Sequence, residues 1–208
     1  MPIVRNVVDS TRFNRAAALP YQLRLDDFAI AMQDVYDFLL DVNSALTVRG
    51  LDRLDDMVRP AALSGVLSDM LTDSMAKHSR ALTKNRHFNG HPDLLVQGVY
   101  PNNGIASGSE GIEIKATRKP GGAVDTHGAR DQCLCVFVYR VDNVTEPARD
   151  RAPLTFTEVY LSNVTEADFR RNARGELGTR TATLHGAGLS QFRQNWIYLL
   201  SPPRSNRA

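Results

Sequence analysis

The stretch Gly111-Ile112-Glu113-Ile114-Lys115-Ala116 alternates at a period of two, which a β-strand satisfies and a helix does not. On such a strand Ile112, Ile114 and Ala116 face one way and pack, while Glu113 and Lys115 project together on the other side. Twenty positions before Glu113, His91-Pro92-Asp93 opens a second apolar run, Leu94-Leu95-Val96. Between the runs, Tyr100-Pro101-Asn102-Asn103-Gly104 and Ser107-Gly108-Ser109 carry turn residues suited to a hairpin. Antiparallel pairing of the two runs brings Asp93 near Glu113. Two carboxylates converging from separate strands make a hard oxygen-donor site for a divalent cation, and a lysine beside them can hold or polarise water. Phosphodiester cleavage needs those parts. The competing reading is an exposed strand whose alternating Glu and Lys serve only solubility.

At 208 residues and 42% hydrophobic, the chain is long enough for one substantial core and short for two, so a single α/β (α+β) domain over 1–208 is expected. Residues 1–20 and 201–208 are expected to be a flexible arm and tail. Formal net charge is +2, but it is unevenly spread. Residues 26–56 hold eight Asp against Arg49 and Arg53, whereas residues 170–208 hold seven Arg against Glu176 alone. An Arg-rich end suits phosphate contacts, with solvated surface arginine as the alternative. Cys133 and Cys135 are poor disulfide partners for each other and lack a second pair to complete a zinc site, so they read as small buried hydrophobes in a reduced compartment. No signal-peptide pattern and no bilayer-length apolar run is evident, and the expected location is cytoplasmic, with no membrane partner.

Phe28, Met32, Val35, Leu39, Val42 and Leu46 recur at helical spacing after possible caps at Asp26 or Asp27 and before Gly50. A second helix is predicted from Pro60 to about Leu82, with Leu63, Val66, Leu67, Met70 and Leu71 on one side and Asp69 and Asp73 on its polar side. Lys84 to His91 reads as a basic, phosphate-facing loop, because Gly90 and Pro92 oppose a helix that would align His87 and His91 as a metal pair. Strands are predicted at 133–141, 155–161 and 195–200, and a short helix capped by Thr165 at 166–173. Gly175, Gly178, Gly186 and Gly188, with Arg174, Arg180 and His185, suggest a flexible basic loop that orders on nucleic acid, or a long surface connection.

Pro92-Asp93 followed by Glu113-x-Lys115 on the next strand resembles the PD-(D/E)xK nuclease superfamily, which includes most type II restriction endonucleases. The match spans residues 84 to 142, with specific identity at Pro92, Asp93, Glu113 and Lys115. The resemblance implies a restriction-endonuclease-like central mixed sheet flanked by helices, with two N-terminal helices. It implies Mg²⁺, with Mn²⁺ as substitute, held by Asp93 and Glu113, with Asp73 or Asp69 as a further acid from the preceding helix. Lys115 would position or deprotonate the attacking water, leaving a 5′-phosphate. Double-stranded DNA is the implied partner, and a homodimer follows if both strands of a palindrome are cut. Arg118, Lys119, Arg130 and Gln132 are candidate DNA contacts, the first two to phosphates and the last two to bases, as they lie farther from the scissile position. A repair or recombination nuclease or a junction resolvase uses the same parts, and a non-catalytic nucleic-acid-binding module is the reading from a different class.

Overall fold

The first helical stripe folds as α1 (Leu25–Val48), which buries Phe28, Met32, Val35 and Leu39 along one side. It begins one turn earlier than its acidic residues suggested. Arg24 is the N-cap, and buried Asp27 reaches back to accept the Arg24 backbone N–H at 2.8 Å. In its last turns the buried position is polar: Asn43 donates to Asp55 and accepts the Leu54 N–H, both at 2.8 Å, fixing a one-turn helix, α2 (Leu54–Met57), that hydrophobic spacing did not reveal. Pro60 opens α3 (Pro60–His78), where its missing N–H costs no helical bond. Leu63, Leu67, Leu71 and Met75 form the buried stripe of α3. This helix ends at His78, before the predicted Leu82, because residues 82–84 gain a sheet partner.

That partner pairing builds β1 (Leu82–Lys84) against β2 (Leu94–Val96), followed in the chain by β3 (Gly111–Thr117), the two-residue β4 (Asp125–Thr126), β5 (Gln132–Arg140) and β6 (Thr155–Val164). Then come β7 (Phe169–Arg171), β8 (Ala182–Leu184), α4 (Gly186–Gln194) and β9 (Trp196–Leu199). The computed structural model describes residues 3–126, 128–171 and 181–201. A six-stranded mixed sheet runs in the order β1-β2-β3-β5-β6-β9, with β3 and β5 parallel and the other neighbours antiparallel. The chain is thus a mixed α+β protein. Helices α1 and α3 pack on one face, over Ile112, Ile114, Cys135, Phe137 and Phe156. On the other face α4 and the small sheet β4-β8-β7 enclose Leu134, Val136, Tyr160 and Phe192. Strand β5 is therefore buried on both sides, which accounts for its unbroken run from Cys133 to Tyr139. Both cysteines are free thiols buried in the core.

Three expectations need correction. The segment after Thr165 is a single helical turn, Glu166–Asp168, after which the chain extends as β7, because pairing with β8 satisfies its backbone and buries Phe169. Of the glycine-rich stretch, residues 186–194 form α4 around the fully buried Phe192, while Arg174, Gly175, Gly178 and Arg180 lie outside the described residues. The arm before α1 is held down from residue 3 onward: Asn14 N–H donates to Ile197 O at 2.9 Å, Asn6 to Leu154 O at 2.9 Å, and Phe13 packs against Tyr198 in a tilted arrangement with ring centroids 5.0 Å apart. The tail 202–208 lies outside the described residues. Among the described residues no helix is long and apolar enough to cross a membrane.

The β2–β3 connection is closed by side chains as well as turns. Tyr100 hydroxyl accepts the N–H groups of Ser109 and Glu110 at 2.9 and 3.0 Å. At the start of β3 the backbones meet so closely that a Cβ on Gly111 would lie 1.9 Å from Leu94 O. Gly111→Ala is expected to lower stability by more than about 2 kcal/mol, the penalty of a backbone clash with no flexible side chain to yield. Urea unfolding of the two proteins checks this, and an unchanged midpoint would contradict the close approach.

Candidate active site

The β2–β3 register pairs Leu94 with Ile112 and Leu95 with Gly111. Continued by one residue, it sets Asp93 across from Glu113. The Asp93 carboxylate then bonds to the neighbouring strand itself, with Oδ2 accepting the Ile114 N–H at 2.8 Å. Its Oδ1 accepts no hydrogen bond among the described residues. Period-2 alternation delivers Glu113 and Lys115 to the same side, and the Lys115 ammonium donates to Glu113 Oε1 while lying 3.9 Å from Asp93 Oδ2. The remaining Glu113 oxygen, Oε2, is 2.7 Å from His91 Nδ1. Glu113 is ionised and can only accept, so Nδ1 carries the proton. The His91 backbone is pinned on both sides, its N–H donating to Ala106 O at 3.1 Å and its carbonyl accepting from Gly108 at 2.8 Å.

These groups form the floor of a cleft of about 730 Å³, walled by Asp69 of α3, Ser107, Thr126, Arg130 and Gln132. The Glu113 side chain is only 11% exposed and Asp93 31%, so charge there is poorly solvated. Burial, and then the nearby Glu113 charge, push the Asp93 carboxyl up to about 6, against the opposing pull of Lys115 and the Ile114 N–H. For Glu113 burial also pulls upward, but the His91 hydrogen bond and the Lys115 charge outweigh it and hold this carboxyl well below its ordinary range. Burial opposes the Lys115 charge, yet Glu113 and Asp93 together raise its pKa, so the ammonium is protonated here.

Could this donor set hold a divalent cation? Two carboxylates from adjacent strands offer hard oxygen ligands, Asp93 Oδ1 is unengaged among the described residues, and the Glu113 charge that adds to burial in raising Asp93 is what a cation offsets. The residues fit a Mg²⁺-like ion that keeps several of its waters. Among the described residues no three His, Cys, Asp or Glu side chains converge as a ligand group.

The other sequence-derived candidates separate. Asp73 lines the neighbouring cleft and pairs with Lys84 at 2.5 Å on the surface; Asp69, one helical turn earlier, is the α3 acid that lines the cleft containing Glu113. Arg118 is turned away, donating to Val141 O at 3.3 Å and Asn143 Oδ1 at 2.7 Å. Lys119 pairs with Asp125 on the surface at 3.2 Å. Arg130 and Gln132, expected farther out as base readers, instead line the cleft beside Lys115, because the loop after β4 brings the start of β5 back to the carboxylates. Gln132 is buried, and its Nε2 has no partner among the described residues. The sequence places His91 in the basic loop and gives it no role at the carboxylates. Its position two residues before Asp93 was the available signal, but only the pinned backbone turns its ring to Glu113.

No family model matches the chain, and comparison with curated proteins and with solved structures likewise gives no match.

The raised Asp93 pKa sets a pH test. A folded-state pKa above the ordinary carboxylate value means the folded protein holds an extra proton between pH 4 and 6. The associated stability is present below the unfolded pKa and is lost as pH rises through about 6. In chelator, Asp93→Asn should therefore melt above wild type at pH 8, and the difference should shrink towards zero at pH 5. Added Mg²⁺ should raise the wild-type midpoint and leave the variant unmoved. Thermal melts at the two pH values check both outcomes.

Proposed function

We propose that this chain is a Mg²⁺-dependent DNA endonuclease hydrolysing phosphodiester bonds, built on a restriction-endonuclease-like sheet and closest in kind to type II restriction enzymes. One observation carries the reading: Asp93, Glu113 and Lys115, in the order Pro-Asp then Glu-x-Lys on adjacent strands, converge on the floor of an open cleft. When bound, Mg²⁺ or Mn²⁺ supplies charge neutralisation at the phosphate and a more acidic water. Asp93 and Glu113 are the groups that would hold it. His91 and Lys115 keep Glu113 ionised and fix both of its oxygens in direction. The protonated Lys115 is suited to orient a water or a phosphate oxygen rather than to accept a proton at this stage. Arg130 on the cleft wall adds positive charge where a phosphodiester would lie. A homodimer supplies the second site that a double-strand cut requires.

Incubation of the purified protein with mixed genomic DNA, followed by sequencing of the ends, tests the activity. Cleavage should require Mg²⁺ or Mn²⁺, stop in chelator and fall severely in Ca²⁺; undiminished cutting in chelator would refute the proposal. Asp93→Ala, Glu113→Ala and Lys115→Ala should each reduce cleavage at least about a hundredfold while the protein stays folded. If all three unfold the chain with no separable loss of activity, the cluster is structural.

The DNA-facing charges can be ranked by salt dependence. Arg130→Ala should flatten the slope of log affinity against log salt by about 0.9, the signature of one lost phosphate contact. Arg118→Ala, whose guanidinium is occupied within the fold, should leave the slope unchanged. The reverse order would place DNA on the Arg118 side of the sheet.

A further inference from the structure

The loop between β1 and β2 carries an aromatic ring in an unusual setting. Phe88 is 86% exposed, which for so large an apolar side chain would ordinarily reflect a loop tip free to fold its ring back onto the protein. This loop is not free. Asn85, buried beneath it, donates through Nδ2 to Pro92 O at 3.0 Å and Ile105 O at 2.9 Å, and accepts through Oδ1 from His87 N–H at 3.0 Å and Ile105 N–H at 3.1 Å. The Arg86 N–H donates to Asn103 O and the Gly90 N–H to His87 O, each at 2.9 Å, closing the turn. At Gly90 a Cβ would lie 2.4 Å from Ile105 O, so the loop is seated closely against the β2–β3 connection at that point. The backbone on either side of Phe88 is thus bonded to its neighbours while the ring stands in water.

Its surroundings indicate what it meets. Phe88 lies on the rim of a cleft of about 1080 Å³ lined also by Lys77, Arg86 and His87, and this cleft shares Asp69 and Asp93 with the candidate active site. Among the described residues neither Arg86 nor Lys77 has an acidic partner, whereas Lys84 nearby is paired with Asp73. Cations without acidic partners beside an exposed aromatic ring on an anchored loop, opening onto the Asp93 cleft, complement a polyanion that also presents flat apolar faces. We propose that Phe88 is a base-stacking contact: Arg86 and Lys77 hold the phosphates of a DNA strand entering the Asp93 cleft, and the ring stacks on a nucleobase unstacked beside the scissile position. This deepens the nuclease reading and rests on it for the substrate class; the chemistry at the carboxylates does not depend on Phe88.

The test measures binding of a short random-sequence duplex pool, and of single strands of the same composition, in Ca²⁺ across a salt series. Phe88→Ala should weaken binding by roughly 5- to 100-fold, with the thermal midpoint and the salt slope unchanged because no charge is lost. Arg86→Ala should instead flatten the slope by about 0.9. Phe88→Trp should keep wild-type affinity, and the added indole emission should be quenched on DNA. Phe88→Leu, apolar but without a π-face, should bind as poorly as Phe88→Ala. Wild-type affinity in either the Ala or the Leu variant would overturn the stacking contact. So would binding to anionic phospholipid vesicles that is lost in Phe88→Ala while DNA affinity is intact. A wild-type protein that binds DNA with these signatures but never cuts it would leave the contact standing and remove the nuclease reading, whereas one that binds no DNA would remove both.

Discussion

Everything proposed for this protein depends on how closely β2 and β3 approach each other. At Gly111 the two backbones leave no space for a side chain, and that contact sets the register that places Asp93 across from Glu113. The hydrogen bond from the Ile114 N–H to the Asp93 carboxylate is made by the strand that also presents Glu113 and Lys115, so one acid is oriented by the backbone of the other. A one-residue slip would send Glu113 and Lys115 to the helix-covered face, where the buried positions are Ile112 and Ile114. Apolar packing on one side of β3 thereby enforces the polar arrangement on the other.

The cluster is held together although its charges disagree. Two carboxylates share a poorly solvated cleft and fare unequally: Glu113 is kept ionised by His91 and Lys115, whereas burial first and then the Glu113 charge raise the Asp93 pKa. A lone solvated strand face would show no such division, since exposed Glu and Lys residues leave one another's ionisation almost untouched. A cation would offset the Glu113 charge at Asp93 directly, which is the sense in which the donor set suits one.

The same connection that closes the hairpin supports two surfaces. His91 is pinned between Ala106 and Gly108 and turns inward to Glu113, while three residues earlier Phe88 is turned outward from a loop anchored on Ile105. Residues 105–108 thus act as a common seat for the floor of one cleft and the rim of the next. Backbone hydrogen bonds to this one segment therefore set the position of the Phe88 loop relative to the carboxylates.

Much was legible along the chain. Alternation over 111–117 marked β3, the 3-and-4 spacings marked α1 and α3, β-branched and aromatic residues marked β5 as a strand, and turn residues between the Asp93 and Glu113 runs marked their antiparallel pairing, because each of these is a local pattern written in the sequence. What the linear pattern could not decide is where long-range partners override local preference. Residues 82–84 became strand because β2 was beside them, residues 169–171 left a helical pattern to pair with β8, and the glycine-rich 186–194 became helix because Phe192 found a pocket in the second core. The site divides the same way. Glu113 and Lys115 share a face because their spacing is the strand period, and the turn residues between the two runs foretell the antiparallel pairing that brings Asp93 beside them. Asp69 over Asp73, the inward His91 and the placement of Arg130 rather than Arg118 at the cleft were decided only by tertiary structure, because the direction of a side chain on a helix or loop depends on packing against elements far away in the chain.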